Sequence, residues 1–328
     1  MTRVLVTGAT GTVGHPIARR LVERGDEVLA LVRDVDRAAG LLPPGVRAVA
    51  GDVSDAASVA SAVEGCELVF HAAGMPEQWR LDPADFTRVN VDGTRNVLAA
   101  CKAHGVRRLA YTSTIDVLAW TPGAPFDESR IDPEPRPTYY ERSKQEADRL
   151  AVAALDDGLD VVFLHPSGVY GPAPILAAGM NDLIARLARR EIPMLLPGGM
   201  PVVHAEDVAE GHLRAADQAP AGARFILSDG YHTLCEVASD VKRHHPEAKV
   251  PPVMPLVVAR GVSAIGERIA QITKRPPLIP RGGLHFLESH AVPVSARAQN
   301  ELDWSITPWD KGLEQTLAFF RERGWLTS

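Results

Sequence analysis

Cysteine is scarce in this chain: Cys66, Cys101 and Cys235 are the only three in 328 residues. They lie far apart, with no C-x-x-C and no histidine at metal-ligand spacing. That excludes a disulfide framework and a structural zinc site, and reads as small buried hydrophobes in a reducing compartment. Positive charge is not in excess either. Thirty-five Lys and Arg against forty-one Asp and Glu leave a formal net charge of −6. The cations are scattered, so the basic stripe that a nucleic-acid partner requires is missing. No apolar run approaches the length of a membrane span, and Met1 leads into a strand pattern by Val4, leaving no room for a signal peptide. The cytoplasm is the expected compartment.

What is present is an alternation. The runs RVLVT, EVLALV, VRAVAG, CELVFHA, RRLAYTS and LDVVFLHP are strand-like, and residues 13–24, 55–64, 85–104 and 139–155 carry helical spacing. Such alternation predicts βαβ units and an α/β fold, a Rossmann-type doubly wound parallel sheet covered by helices on both faces. After about residue 170 prolines multiply and the pattern loosens. The expected division is a dinucleotide-binding domain over 1–170, with 201–229 returning to it, and a smaller, mostly helical substrate lobe from 171–200 and 230–328. The most apolar stretch of that lobe, 253–272, is interrupted by Arg260, Glu267 and Arg268, and is expected to be a core or cap helix rather than an interfacial membrane helix.

The first strand ends in TGATGTVG, so Gly8, Gly11 and Gly14 form G-x-x-G-x-x-G between a strand and an amphipathic helix. Glycines let such a turn tighten and let amides approach a pyrophosphate, with the helix N-terminus adding partial positive charge. Thr10, Thr12 and Val13 belong to the same loop. GDVSD places Asp52 and Val53 after the third strand, where they would frame an adenine. HAAG places Ala72, Ala73 and Gly74 after the fourth, leaving space for a dinucleotide. VNVDGTRN carries Asn90, and YTSTIDV ends the fifth strand with Thr112, Ser113 and Thr114.

PTYYERSKQEA raises a choice between two tyrosines. Thr138 and Glu141 form a capping box, and in the helix that follows Tyr140 shares a face with Lys144 whereas Tyr139 stacks over Ser143. By these motifs, with HPSGVYGP and VVHAEDVA in the same order, the chain resembles the extended short-chain dehydrogenases/reductases, also called the NAD-dependent epimerase/dehydratase family. The resemblance implies Tyr140 as the acid/base, Lys144 as its helper and ribose ligand, Thr114 as the hydroxyl beside the substrate oxygen, and Asn90 as a further catalytic-site residue. It also implies that Pro166 and Val169 border the nicotinamide, and that no metal takes part.

Within the family, two departures point away from nucleotide-sugar epimerases and dehydratases, the alternative reading. Ile115 stands where dehydratases carry the first of two carboxylates, leaving Asp116 alone, and Met200, Pro201 and Val202 replace the usual Arg-Asp-Phe. YTSTIDV is similar to the YTSSIEV of 3β-hydroxysteroid dehydrogenases, and dihydroflavonol reductases belong to the same wider group. The expected partner is a small, apolar keto or hydroxy substrate, of steroid, 3-oxoalkanoate or flavanone type. Met75, Trp79, Trp120 and Met180 are candidates to line its pocket. A non-catalytic dinucleotide sensor would lack the Tyr or Lys present here. Arg33, at the end of the second strand where NAD enzymes place an acid, and Arg37 one helical turn on favour NADP, with NAD the alternative if Asp34 or Asp36 binds the ribose hydroxyl. A homodimer is implied by family analogy alone.

Overall fold

The computed structural model describes residues 1–176 and 179–326. In chain order its elements are β1 (Arg3–Thr7), α1 (Gly14–Glu23), β2 (Glu27–Val32), α2 (Val35–Ala39), β3 (Arg47–Ala50), α3 (Ala56–Val63), β4 (Leu68–His71), α4 (Ala84–Phe86), α5 (Gly93–Ala103), β5 (Arg108–Thr112), β6 (Pro125–Phe126), α6 (Tyr139–Asp156), β7 (Val161–Pro166) and β8 (Gly168–Tyr170). The remainder are α7 (Met180–Ala188), β9 (Gly199–His204), α8 (Ala205–Gln218), β10 (Arg224–Leu227), β11 (Gly230–Thr233), α9 (Leu234–His244), α10 (Leu256–Thr273), α11 (Arg281–Glu288), β12 (Val292–Pro293), α12 (Ala296–Leu302) and α13 (Trp309–Glu322).

Seven strands form one sheet in the order β10-β7-β5-β4-β1-β2-β3, every pair parallel. All six residues of β7 and all four of β4 are buried, as a parallel sheet covered on both faces demands. One face packs on α1, α8 and α12 through residues such as Ile17, Leu21, Val208 and Leu302. The other packs on α3, α5 and α6 through Val59, Val97, Ala147 and Ala151. A third core, with Ile184, Val237, Leu313 and Phe320, joins α7, α9 and α13 beyond the sheet.

Two segments differ in detail from the sequence expectation. Strand β9 leaves the central sheet and pairs with β8 and β11 in a three-stranded one. The segment returning from 201–229 therefore reaches the central sheet only through α8 and β10. The helical pattern over 85–104 is broken by a π-helical stretch at Thr87–Asp92. Such a stretch adds a residue to the turn and is often found at functional sites. Here it contains Asn90, which is almost fully buried. Cys66 and Cys101 are buried as expected, but Cys235 is exposed.

Chain order reverses between β1 and β4, the point at which open α/β sheets bind ligands. The turn there is tight. Gly8 has φ +76°, and a Cβ on it would lie 2.7 Å from the Ala72 backbone. A Cβ on Gly14 would lie 2.3 Å from the Gly8 carbonyl oxygen, so α1 starts against the loop only because both residues lack side chains. Gly14→Ala is therefore expected to destabilise the fold by about 1–3 kcal/mol, the range for overpacking a dense site. The measurement is the denaturant midpoint at unchanged m-value; a midpoint equal to wild type would show that the loop can yield.

Candidate active site

The switch point opens into a cleft of about 790 Å³ whose wall includes Gly8, Thr10, Gly11, Asp52, Val53, Ala72, Ala73 and Gly74. With Arg33, nine of the sequence-predicted cofactor residues thus meet in one place. Gly11 donates its amide to the Gly8 carbonyl at 2.9 Å, while the amides of Thr12 and Val13 find no acceptor among the described residues. Unpaired amides at a helix start are the group that holds a phosphate. Thr12 and Val13 themselves are half-buried behind the cleft wall, and Gly14 is packing against the loop.

Behind the cleft runs a chain of buried hydrogen bonds. Thr94 donates to the Asn90 carbonyl (2.6 Å), which leaves its oxygen to accept from His71 Nε2 (3.0 Å). His71 Nδ1 then accepts from the Thr7 hydroxyl (2.7 Å), and Thr7 accepts from the Ala73 amide (3.2 Å). The tautomer is assigned from these partners. Burial holds His71 down to about 3, so it stays neutral and ties the two loops together.

Arg33 and Arg37 are exposed and line the same cleft at the end of β2. Two acids, Asp34 and Asp52, line the cleft beside them, each engaged in local hydrogen bonds. Asp34 caps α2, accepting from the Arg37 amide at 3.0 Å, and Asp36 lies in the first turn of that helix. Asp52 accepts from the Ser54 amide and hydroxyl at 2.9 and 2.8 Å. These bonds and the Arg33 charge hold its carboxyl below the ordinary value against the opposing effect of burial.

The capping box at Thr138 and Glu141 forms as the sequence requires, and starts α6 at Tyr139. Tyr139 is exposed, with the Arg142 guanidinium 4.6 Å over its ring. Tyr140 is half-buried, its ring edge-on between Phe86 and Phe286 with centroids 6.4 and 6.1 Å away. Lys144 is buried and donates to the Thr112 carbonyl at 2.9 Å. Thr114 donates its hydroxyl to Asp116 Oδ2 at 2.7 Å. Asn90 accepts from the Met75 amide (2.7 Å) and donates to Ser143 Oγ (2.9 Å), which in turn donates to the Tyr140 carbonyl (2.6 Å). Asn90 thus touches the start of α6 by way of Ser143.

The pKa of Tyr140 is raised, as are those of the buried Tyr111 and Tyr170. Burial, then the carboxylates of Asp116, Glu77 and Glu141, push its phenol above the ordinary value, with the Thr114 hydroxyl acting the other way. The lysine does not offset this: burial lowers Lys144 to about 8, against the pull of Asp148 and Asp116. The chain's own charges therefore favour the neutral phenol. Asp116 is raised to about 6 by burial and by Glu141, with Thr114, Arg136 and His285 opposing. Glu77 is raised to about 7, chiefly by burial. Glu141 is held below its ordinary value despite burial, mainly by His285, whose Nε2 lies 3.5 Å from Glu141 Oε1.

Several of these neighbours carry no signal in sequence. Glu77 lies in a loop and His285 and Phe286 come from α11, nearly 150 residues beyond Tyr140. Asp148 was legible as the next step of the i, i+4 face of Tyr140 and Lys144. It accepts from Ser113 at 2.8 Å and from Arg224 at 2.8 and 3.1 Å. Pro166 is buried at the end of β7 and Val169 half-buried in β8; neither joins the cleft wall. Of the pocket candidates only Met75 lines the cleft. Trp79 is half-buried beside it, Trp120 packs on Phe126 beneath the Arg136 guanidinium, and Met180 is core.

Comparison with known proteins places this geometry in context. The family model described as "NAD dependent epimerase/dehydratase family" matches residues 4–227. A Synechocystis protein provisionally named a dihydroflavonol 4-reductase is 30% identical, covering 98% of this chain and 95% of its own. A 2-alkyl-3-oxoalkanoate reductase of Stenotrophomonas maltophilia is 32% identical over 84% of this chain and 86% of its own. Among solved structures, gox2253 superposes with a TM-score of 0.84 at 29% identity, covering the whole of both chains. The UDP-glucose 4-epimerase of Thermus thermophilus in complex with NAD gives 0.76 at 26% identity, covering 97% of this chain and 99% of that one.

Proposed function

The chain belongs to the NAD-dependent epimerase/dehydratase family, the extended short-chain dehydrogenases/reductases, and on that premise we propose that it reduces the carbonyl of a largely apolar ketone with NADP as its cofactor. When bound, the nicotinamide supplies the hydride. The loop of Gly8, Gly11 and Gly14 with the amides of Thr12 and Val13 would hold its pyrophosphate, and Arg33 with Arg37 the 2′-phosphate.

The observation that carries this reading is the state of Tyr140. A phenol kept neutral by burial and, beyond that, by nearby carboxylates is equipped to donate a proton, the step a reductase needs at the substrate oxygen. Lys144 lies one turn away on the same face and Thr114 offers a second hydroxyl nearby. The names of the reductase relatives support an apolar substrate. Met200, half-buried on β9 beside Gly168, supports it as well, because a diphosphate would require a cation there. Tyr140→Phe removes the proton and keeps the ring between Phe86 and Phe286. It is expected to lower turnover of a ketone substrate by roughly 10²–10⁴-fold while cofactor affinity stays near wild type. Turnover equal to wild type would refute the assignment, and Tyr139→Phe serves as the mild control.

Thr114 meets a conflict that Asp116 resolves. While Asp116 is ionised, the Thr114 proton is committed to it and is not free for a carbonyl. Once Asp116 is protonated, its own O–H can donate to Thr114 Oγ1 and release the Thr114 proton toward substrate. The protonated fraction grows as pH falls through about 6, so kcat/KM for reduction should rise on that limb. Asp116→Asn, whose amide donates at every pH, should flatten it. A limb near pH 6 that persists in Asp116→Asn would show that another group titrates there.

Cofactor choice is tested separately. A guanidinium on a 2′-phosphate contributes about 1.5–3 kcal/mol, as hydrogen bonds to charged groups do. Arg33→Ala should therefore cost NADP that amount in turnover efficiency and leave NAD almost unchanged. Equal losses with both cofactors, or a wild type that prefers NAD, would remove Arg33 from phosphate recognition.

A further inference from the structure

Helix α10 is apolar on two opposite sides. Its inner side, with Ala259, Ser263 and Ala270 buried, packs toward Ile279 and Leu284. Its outer side carries Val257, Val258, Ile265, Ile269 and Ile272, which at 3.6 residues per turn fall within an arc of about 120°. That side is uncovered: Val257 is 81%, Ile265 62% and Ile272 82% exposed, and Leu278, shortly beyond the helix, is 82% exposed. Burying a branched aliphatic side chain is worth about 1.5–3 kcal/mol, so five of them aligned toward water call for a partner.

The charges around the stripe select the partner. Arg268 lies within it, and Lys274 and Arg275 follow at its C-terminal end; all three are exposed and none forms an ion pair among the described residues. The nearby acids are already engaged, Glu267 with Arg281 at 3.2 Å and Glu288 with Arg260 at 2.8 Å. The exposed arc itself holds no acidic residue. If a second copy packed on it, Arg268 would be buried against another apolar and cationic stripe with no counter-charge, which is strongly unfavourable. A surface that is apolar at depth and anionic at its boundary satisfies both features. No helix among the described residues is long and apolar enough to cross a membrane.

We propose that the outer face of α10, with Arg268, Lys274 and Arg275, is a docking surface that seats the protein on an anionic lipid bilayer. The apolar stripe enters the boundary of the acyl chains while the three cations meet phosphate headgroups. The inference rests on this surface and not on which ketone the site reduces.

The test is co-sedimentation of the full chain with vesicles of phosphatidylcholine alone and with vesicles rich in phosphatidylglycerol. At about 1 kcal/mol per cation near an anionic surface, the three residues should favour the anionic vesicles on the order of 100-fold at low salt. High salt should erase the preference. Ile265→Glu/Ile272→Glu should abolish binding to both vesicle types, and Arg268→Gln/Lys274→Gln/Arg275→Gln should remove only the anionic preference. Both variants should keep wild-type thermal unfolding and wild-type turnover of a water-soluble ketone. A wild type that stays in the supernatant with anionic vesicles overturns the proposal. So does a wild-type dimer, seen by light scattering, that Ile265→Glu/Ile272→Glu splits without any change in vesicle binding, because the stripe would then be a self-association face.

Discussion

The buried pair between Asp148 and Arg224 fixes the position of everything that acts at the site. Asp148 sits on α6 one turn beyond Lys144, and Arg224 sits on β10, the outermost strand of the central sheet. Through two hydrogen bonds the pair clamps the helix to the edge of the sheet, and Ser113 adds a third from the end of β5. His165 extends the clamp. Its Nε2 accepts from Arg224 at 3.1 Å and its Nδ1 donates to the Thr114 carbonyl at 3.0 Å. Rotating α6 to present another face would therefore break several bonds to charged groups at once. A buried pair of this kind contributes little net stability, but leaving either partner alone is costly. The cost acts on register: it forces Tyr140, Lys144 and Thr114 onto one side of the same crevice.

That crevice is filled by two parts of the chain that meet late. Phe86 comes from the segment before the π-helical stretch, and Phe286 from α11. Glu77 packs so closely against α11 that a Cβ on Gly282 would lie 2.1 Å from its carboxylate oxygen. His285 reaches Glu141 from the same helix. Helix α11 thus supplies both the apolar cover and a histidine that, when protonated, balances one of three crowded carboxylates. Without His285, Glu141 would add its full charge to those of Asp116 and Glu77, and burial would favour protonating more of them. The acidity of the site is accordingly a joint property of α6, the Glu77 loop and α11.

How much of this was legible in the sequence follows from the range of each interaction. The strands of the sheet, the glycine loop, the capping box and the shared face of Tyr140 and Lys144 are local patterns, written within one turn or one strand, and the structure contains all of them. The small sheet of β8, β9 and β11 was not legible, because strand spacing tells which residues extend and not which neighbour they choose. The π-helical stretch was hidden in a pattern that reads as plain helix. His285, Phe286 and Glu77 were invisible for a different reason: their roles depend on a contact between distant segments, and nothing in a histidine or phenylalanine on a short helix announces its partner.

Helix α11 also explains why an unpartnered apolar face belongs in this part of the molecule. It packs on α10 through Leu284 and on Tyr140 through Phe286, two residues apart, so the two contacts lie on opposite sides of a single helix of eight residues. The inner side of α10 is therefore one helix away from Tyr140, while its outer side faces away from the protein. A helix that turns apolar residues toward Tyr140 needs a second layer to bury its back. The second layer is α10, and its own back has no third layer behind it. In a chain of this size a further helix would be the usual remedy. Five exposed branched residues beside three cations that form no ion pair among the described residues are instead retained, an arrangement that is unfavourable in water and becomes favourable where the solvent on that side is not water.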